Sequence, residues 1–315
     1  SDLPDAPGLA EELRLYFPPA LRERFAAQIA AHPLRREIIA TVVANDVVNR
    51  AGLTFVHDLQ ARTGRGPAEI TRAYRIVREA FALPPLWSAI EALDNQVAAS
   101  VQYEMLIDIA GIVEHAATWL LRAGRLEFEE GARFAPAVDH LAAVVSDLLP
   151  VDERAIYDRR VARLRQAGVP EALATRVGCI IFLTTAFEVG DLAARVGQPV
   201  AEGSIDRAAR SFYGVGARCA LDGLRDAARR LPAETPWQKA AVETLIDDFY
   251  ALQADLAERV LKSADGADDP VASWSTANAA VLAPAEAIAG ELHATSNPDL
   301  AMLVVASRQL RQALG

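Results

Sequence analysis

Gly214-Val-Gly216-Ala-Arg-Cys219 is the nearest approach in this 315-residue sequence to a dinucleotide-binding turn. Such a turn places glycines between a strand and a helix so that the backbone can reach a pyrophosphate. Here Cys219 stands where the third small residue belongs and the preceding sequence is helical, so the pair reads as helix-packing glycines or a local break. Asp247-Asp248 and Asn45-Asp46-x-x-Asn49 have the types that hold magnesium and a diphosphate in an all-helical site. However, Ala251 occupies the place of a further carboxylate, Leu53 the place of a completing Glu, and the order of the two motifs is reversed. His32, His57, His115, His140 and His293 are scattered, none with a second ligand at metal spacing. Cys179 and Cys219 lie in apolar, helix-like stretches without a CxxC and read as buried, reduced thiols. Lys239 and Lys262 fall on what should be solvated faces of one long helix, with no glycine-rich loop beside them. These residues imply no catalytic, metal or cofactor site within the chain.

What remains is a polar helix face. Within Leu34 to Gly52, Ile38, Ile39, Val42, Val43 and Val47 make an apolar face, while Asn45/Asn49 and Asp46/Arg50 are i,i+4 pairs beside it. A buried amide or charge left unpaired costs about 1–3 kcal/mol, so these groups require partners. Arg35, Arg36, Asn45, Asp46, Asn49 and Arg50 are therefore the candidate docking or effector face. They either lock this helix to its neighbours or an adjoining domain, or meet a small ligand. Arg159, Arg160, Arg163 and Arg165 form a basic cluster that Asp152, Glu153 and Asp158 are near enough to neutralise. It reads as a solvated face, the alternative being a phosphate or partner-domain contact.

The elements that carry these residues are helices. Hydrophobic residues make up 52% of the chain and aromatics only 6%, a mix led by Ala, Leu and Val that favours close helix packing over sheets. Apolar residues recur at three and four, punctuated by Pro and Gly. Helices are expected at 19–31, 34–51, 53–63, 68–82, 85–94, 97–123, 136–148, 152–167, 171–196, 204–230, 236–263, 272–293 and 298–313. The fold class is all-α, a multi-helix bundle-like domain. A net charge of -10 spread over both halves argues against nucleic-acid or anionic-membrane partners. The longest apolar run, Cys179 to Phe187, is about half a membrane span and should be a core helix segment. The chain opens on Ser1 and a loose SDLPDAPG lead, which reads as a piece of something longer.

One word recurs. Asp58-Leu59-x-Ala61-Arg62-x-Gly64, then Glu69, returns as Asp191-Leu192-x-Ala194-Arg195-x-Gly197, then Glu202. Ile70, Arg72, Ala73, Arg75 and Leu86 align with Ile205, Arg207, Ala208, Arg210 and Leu221, and Leu106-Ile107-Asp108 with Leu245-Ile246-Asp247. Two related helical halves from an internal duplication are expected. The organisation is then a lead with first helices over 1–33, unit 1 over 34–150, unit 2 over 151–270 and closing helices over 271–315.

Tyr16 to Phe25 with the Leu34–Gly52 segment, Trp87-Ser-Ala-Ile-Glu-Ala-Leu-Asp-Asn95 followed by Val97 and Gln102, Gly168 to Leu173, and the Trp237–Leu252 stretch resemble the C-terminal region of the large bacterial NAD-specific glutamate dehydrogenases. The resemblance runs over about 16–263. It implies a parent enzyme that oxidatively deaminates L-glutamate to 2-oxoglutarate and ammonia with NAD, in the cytoplasm, through a separate preceding catalytic domain. That domain would be the partner of this chain, within a homo-oligomer. The role left for the chain is structural, assembly-related or regulatory; the alternative is an independent helical interaction or effector-binding module.

Overall fold

The computed structural model describes residues 3–5, 7–196, 202–263, 267, 269–295 and 298–314. Among the described residues every regular element is helical, and no strand occurs. Unit 1 comprises 1–139 and 160–184, and unit 2 comprises 140–159 and 185–315. The division therefore does not fall at a single crossing near 150.

Unit 1 holds α1 (Ala10–Tyr16), α2 (Pro19–Arg22), α3 (Ala26–Ala30), α4 (Arg35–Ala51), α5 (Phe55–Thr63), α6 (Pro67–Ala80), α7 (Leu83–Glu91) and α8 (Ala99–Ala123). Next come α9 (Glu129–Leu148) and α10 (Val151–Gln166), each contributing residues to both units, and α11 (Glu171–Gly178) in unit 1. α6 starts on Pro67, with the Glu69 carboxylate accepting from the Gly66 N–H at 3.0 Å. This satisfies one of the amides a helix start leaves open. α5 ends on Gly64 in the left-handed region, φ 69°, where a side chain would be strained. Tyr74, Ile76 and Val77 on α6 and Met105, Ile109 and Leu120 on α8 are buried where these helices pack. Just after the lead, Leu9 and Leu13 join Ile29, Ile39 and Val43 in a small core, with Leu3 packed against it.

Unit 2 holds α12 (Ala186–Arg195), α13 (Glu202–Arg218), α14 (Leu221–Arg229), α15 (Pro236–Ser263), α16 (Pro270–Ala277), α17 (Ala279–Ala294) and α18 (Leu300–Leu314). α15 is the spine. Its buried Val242, Leu245, Phe249, Leu252, Leu256 and Val260 recur at three and four, the pattern of a helix face turned to a core. Its start is a Thr-x-x-Gln cap. The Gln238 N–H donates to Thr235 Oγ1 at 3.2 Å, and Gln238 Oε1 accepts from the Glu234 N–H at 3.0 Å.

Several expected single helices are broken. The 171–196 run divides at Cys179–Thr185, where Phe182 and Leu183 donate to the Cys179 carbonyl and a 3-10 turn spans Leu183–Thr185. Ile180, Ile181, Thr184 and Thr185 are β-branched and hold a helix poorly. Expected helix 204–230 breaks at Ala220, which sits in the left-handed region at φ 53°. The expected 19–31 and 272–293 segments split as well, at Glu23–Phe25 and at Asn278. Expected helix 136–148 starts earlier, at Glu129, and passes through Pro136. Phe134, edge-on to Trp119 at 5.6 Å, packs the turn before that proline.

Helix order and packing recur between the units. In each, the Asp-Leu helix, a longer helix, a nine-residue helix and a long final helix follow one another: α5 to α8 and α12 to α15. The same neighbours pack in both sets. Ala82 and Ala220, both left-handed, stand just before α7 and α14. They place Leu83 opposite Leu221 and Leu86 opposite Leu224, three residues from the register that set Leu86 against Leu221. Arg62 pairs with Glu114 on α8 at 2.6 Å, and Arg195 with Glu258 on α15 at 2.5 Å. Gly197 lies outside the described residues.

Candidate functional site

α4 carries the expected polar face, and its groups divide. Ile39, Val43 and Val47 are buried, while Ile38 and Val42 are partly covered. Asp46 points inward: Tyr74 Oη donates to its Oδ2 at 2.9 Å and Arg78 Nε lies 3.3 Å from the same oxygen. Burial first, then the Asp46 charge and hydrogen bond, raises the Tyr74 pKa, so the phenol stays a donor. Arg78 also lies 3.9 Å from Glu12 of α1, which ion-pairs with Arg75. Arg35 lies 3.5 Å from Asp5 of the lead, and Arg36 ion-pairs with the same carboxylate. Arg50 leaves Asp46 alone; it pairs with Glu91 and stacks 5.0 Å over Trp87 of α7. Asn45 and Asn49 are exposed. They stand at the surface, outside the network that ties Asp46 and Arg50 to neighbouring helices.

The Asp46 and Asn49 positions give a direct comparison. Asp46→Ala strands the buried Tyr74 phenol and takes one of two carboxylates from the half-buried Arg78, and should cost about 1–3 kcal/mol. Asn49→Ala should stay within about 0.5 kcal/mol of the parent chain. Urea denaturation of both variants measures the difference.

The other candidates resolve as packing. Gly214 and Gly216 lie inside α13 with helix before them, so no phosphate-binding turn forms and the residues do not fit a nicotinamide cofactor. Asp248 accepts from Arg311 of α18 at 2.7 Å. Lys239 and Lys262 are exposed and pair along their own helix with Glu243 and Glu258. The thiols of Cys179 and Cys219 are buried and free, and burial pushes both up to about 11. His140 meets Asp206 at 2.7 Å; the His293 side chain is outside the described residues. Among the described residues no three His, Cys, Asp or Glu side chains gather as a metal site. The basic cluster is neutralised differently from expectation. Arg160 pairs with Asp108, Arg163 donates to Glu104 at 2.7 Å, and Arg165 lies 3.4 Å from Glu171. Asp158 instead meets Arg154 at 3.1 Å.

A second polar centre, in unit 2, escapes sequence reading. Arg225 of α14 is buried. It pairs with Asp222 one turn before it, donates to Gln253 Oε1 of α15 at 2.5 Å, and stacks 4.2 Å over Tyr250. Gln253 Nε2 donates to the Phe212 carbonyl at 2.7 Å. Gly216 makes room: a Cβ there would lie 2.8 Å from Asp222 Oδ2 and collide with the Gln253 amide. Burial, then the charge of Asp222, pushes the Glu153 carboxyl of α10 up to about 8. Burial raises Asp222 too, against the pull of Arg225. The one local signal is Asp222-x-x-Arg225, an ordinary i,i+3 pair; Tyr250 and Gln253, which Arg225 meets, stand 25 and 28 residues away from it.

Fold and polar centres together define an all-helical domain of two units whose charged groups mostly bind one another. No strand appears among the described residues, and no single helix there is long and apolar enough to cross a membrane. Residues 1–312 match the family described as "Glutamate dehydrogenase, C-terminal", and the chain belongs to that family. It is 36% identical over 271 residues to the NAD-specific glutamate dehydrogenase of Halomonas elongata, covering 85% of this chain and 16% of that protein. For the protein of the same name in Pseudomonas aeruginosa the identity is 33%, over 98% of this chain and 19% of the relative. For that of Mycobacterium tuberculosis it is 31%, over 99% and 19%. The chain thus spans less than a fifth of the length of these curated relatives.

Proposed function

We propose that the chain is the non-catalytic C-terminal helical part of a large NAD-dependent glutamate dehydrogenase. The parent would oxidatively deaminate L-glutamate to 2-oxoglutarate and ammonia with NAD, using a preceding domain of the same polypeptide. The observation that carries this reading is the family match over 1–312. It is supported by Gly214 and Gly216 lying within α13 and by lysines that pair along their own helix in solvent. The role is structural: charged residues that could have met an effector are tied to the chain's own helices, as Arg35 and Arg36 are to Asp5 and Asp46 to Tyr74. A cytoplasmic homo-oligomer of the parent is the setting proposed, with buried thiols suited to reducing conditions.

Purified alone, the chain should give no glutamate-dependent reduction of NAD and no calorimetric NAD binding. Micromolar binding of NAD or glutamate would overturn the non-catalytic assignment. Truncating the full-length enzyme before this region, and measuring activity and mass in solution, separates a role in turnover from one in assembly. We also propose that α5–α8 and α12–α15 are copies of one duplicated unit. The paired arginines at 62 and 195 and the left-handed alanines at 82 and 220 favour it. Related sequences that keep both Arg–Glu pairs would support the duplication; independent loss of either would count against it.

A further inference from the structure

α17 is a surface helix with almost no charge. From Ala279 to Ala294 it carries Glu286 and Glu291 and no Lys or Arg, and Glu286 is tied to Arg218 of α13. A helix apolar on nearly every side is ordinarily covered on every side. Its Leu282, Ala285 and Leu292 do turn to the unit 2 core, as do Leu303, Ala306 and Leu310 of α18. On the opposite face of α17, Ala280, Pro284, Ala287 and Glu291 are exposed at spacings of four, three and four. α18 repeats the arrangement. Its Ala301, Val305, Arg308 and Gln312 recur at the same spacing in solvent, with Val304 beside them, and Val305 is 53% exposed. The two helices pack closely on each other, so the outward stripes adjoin in one largely apolar face. That face bears an acid and a base. Neither Glu291 nor Arg308 has a side-chain partner among the described residues.

We propose that this face of α17 and α18 docks a second copy of the chain about a two-fold axis. Charge decides the occupant. In an isologous contact one patch serves both partners, so it must be complementary to itself. A two-fold axis lying in the face midway between Glu291 and Arg308 exchanges them, and each acid then meets the base of the other copy. A partner of a single charge sign would leave one of the two facing no counter-charge. The small Ala280 and Ala287 let another helix approach closely, and Val304 and Val305 supply the apolar area. Helix dimensions make the face about 24 Å long and about 20 Å wide. That is about 500 Å² a side, against about 800 Å² in a standard interface, so the dimer is weak and depends on concentration. The proposal gives the homo-oligomer of the proposed function an interface, and rests on that part of the reading alone.

Sedimentation of the whole chain from about 5 to about 300 μM should show the mass moving from monomer towards dimer. Val305→Glu should stay monomeric throughout with its thermal midpoint unchanged, since the side chain it replaces is exposed. Ala301→Glu, on the same stripe, serves should that variant not fold. Arg308→Glu should raise the dissociation constant about tenfold, and adding Glu291→Arg to it should return the constant to within about threefold of the wild type. A wild-type chain still monomeric at the highest concentration, a Val305→Glu chain that dimerises, or a double variant no tighter than Arg308→Glu would each overturn the interface. Val305→Glu in the full-length enzyme separates this proposal from the wider one. An oligomer of unchanged mass overturns the interface and keeps the homo-oligomer, whereas a monomeric wild-type parent overturns both.

Discussion

Phe249→Ala should remove about 3–5 kcal/mol of stability, the range for truncating a buried aromatic. Phe249 is fully buried at the middle of α15, in a cluster that includes Leu224, Leu245, Leu252, Leu256 and Trp274. That cluster draws on α14, α15 and α16 together with α17 and α18. A void there removes dispersion contacts from several helices at once, and side chains fixed on packed helices collapse into it only in part. The midpoint of urea denaturation should fall with the slope little changed, because the surface exposed on unfolding stays nearly the same. A loss below about 1 kcal/mol would mean that the core around α15 is far more pliable than close packing permits. Tyr103→Ala is the control, since Tyr103 is 65% exposed, and it should shift stability by no more than about 0.5 kcal/mol.

Arg225→Ala should cost a similar amount, about 3–5 kcal/mol, for an electrostatic reason. Arg225 is 5% exposed, and its guanidinium serves Asp222, Gln253 and the face of Tyr250 together. Without it, the half-buried Asp222 and Glu153 carboxyls have no adjacent cation on the Asp222 turn, and Gln253 Oε1 loses its donor. The deficit has a pH signature. Loss of the cation raises the affinity of the pair for protons further, and a doubly protonated pair is neutral and tolerates burial. The variant should therefore recover part of its stability in acid and be worst above about pH 8, where the wild-type pair itself gives up its proton. Thermal melts of both proteins across that range measure it; an equal deficit at every pH would show that lost packing, not charge, dominates.

Much of the fold was legible because it is written in local periodicity. α4, α5, α8 and α15 fall close to the expected spans, each closed or opened by a Gly or a Pro. The failures have a common origin. Ala220 carries no mark of a left-handed residue, since alanine ordinarily continues a helix; it stands between the buried Cys219 and Leu221. Pro136 ordinarily opens a helix, yet α9 runs through it because Phe134 is already seated on Trp119. On the polar face, spacing grouped Asp46 with Arg50 and Asn45 with Asn49. It could not say which way each pair points, and Asp46 went inward to Tyr74 while the asparagines went to water.

By itself the sequence determined the helical class, the family resemblance and the want of a glycine turn, since these depend on residue type and short spacing alone. It also exposed a recurring Asp-Leu-x-Ala-Arg word whose two arginines each reach a glutamate on a long helix of their own unit. Only the tertiary structure decided which charges meet. Glu153 lies 69 positions before Asp222 in the chain, and Gln253 lies 31 after it. The value of a buried carboxyl depends on what surrounds it, not on what precedes it. Glu153 sits two residues into an unremarkable acidic first turn; burial and the Asp222 charge raise its carboxyl.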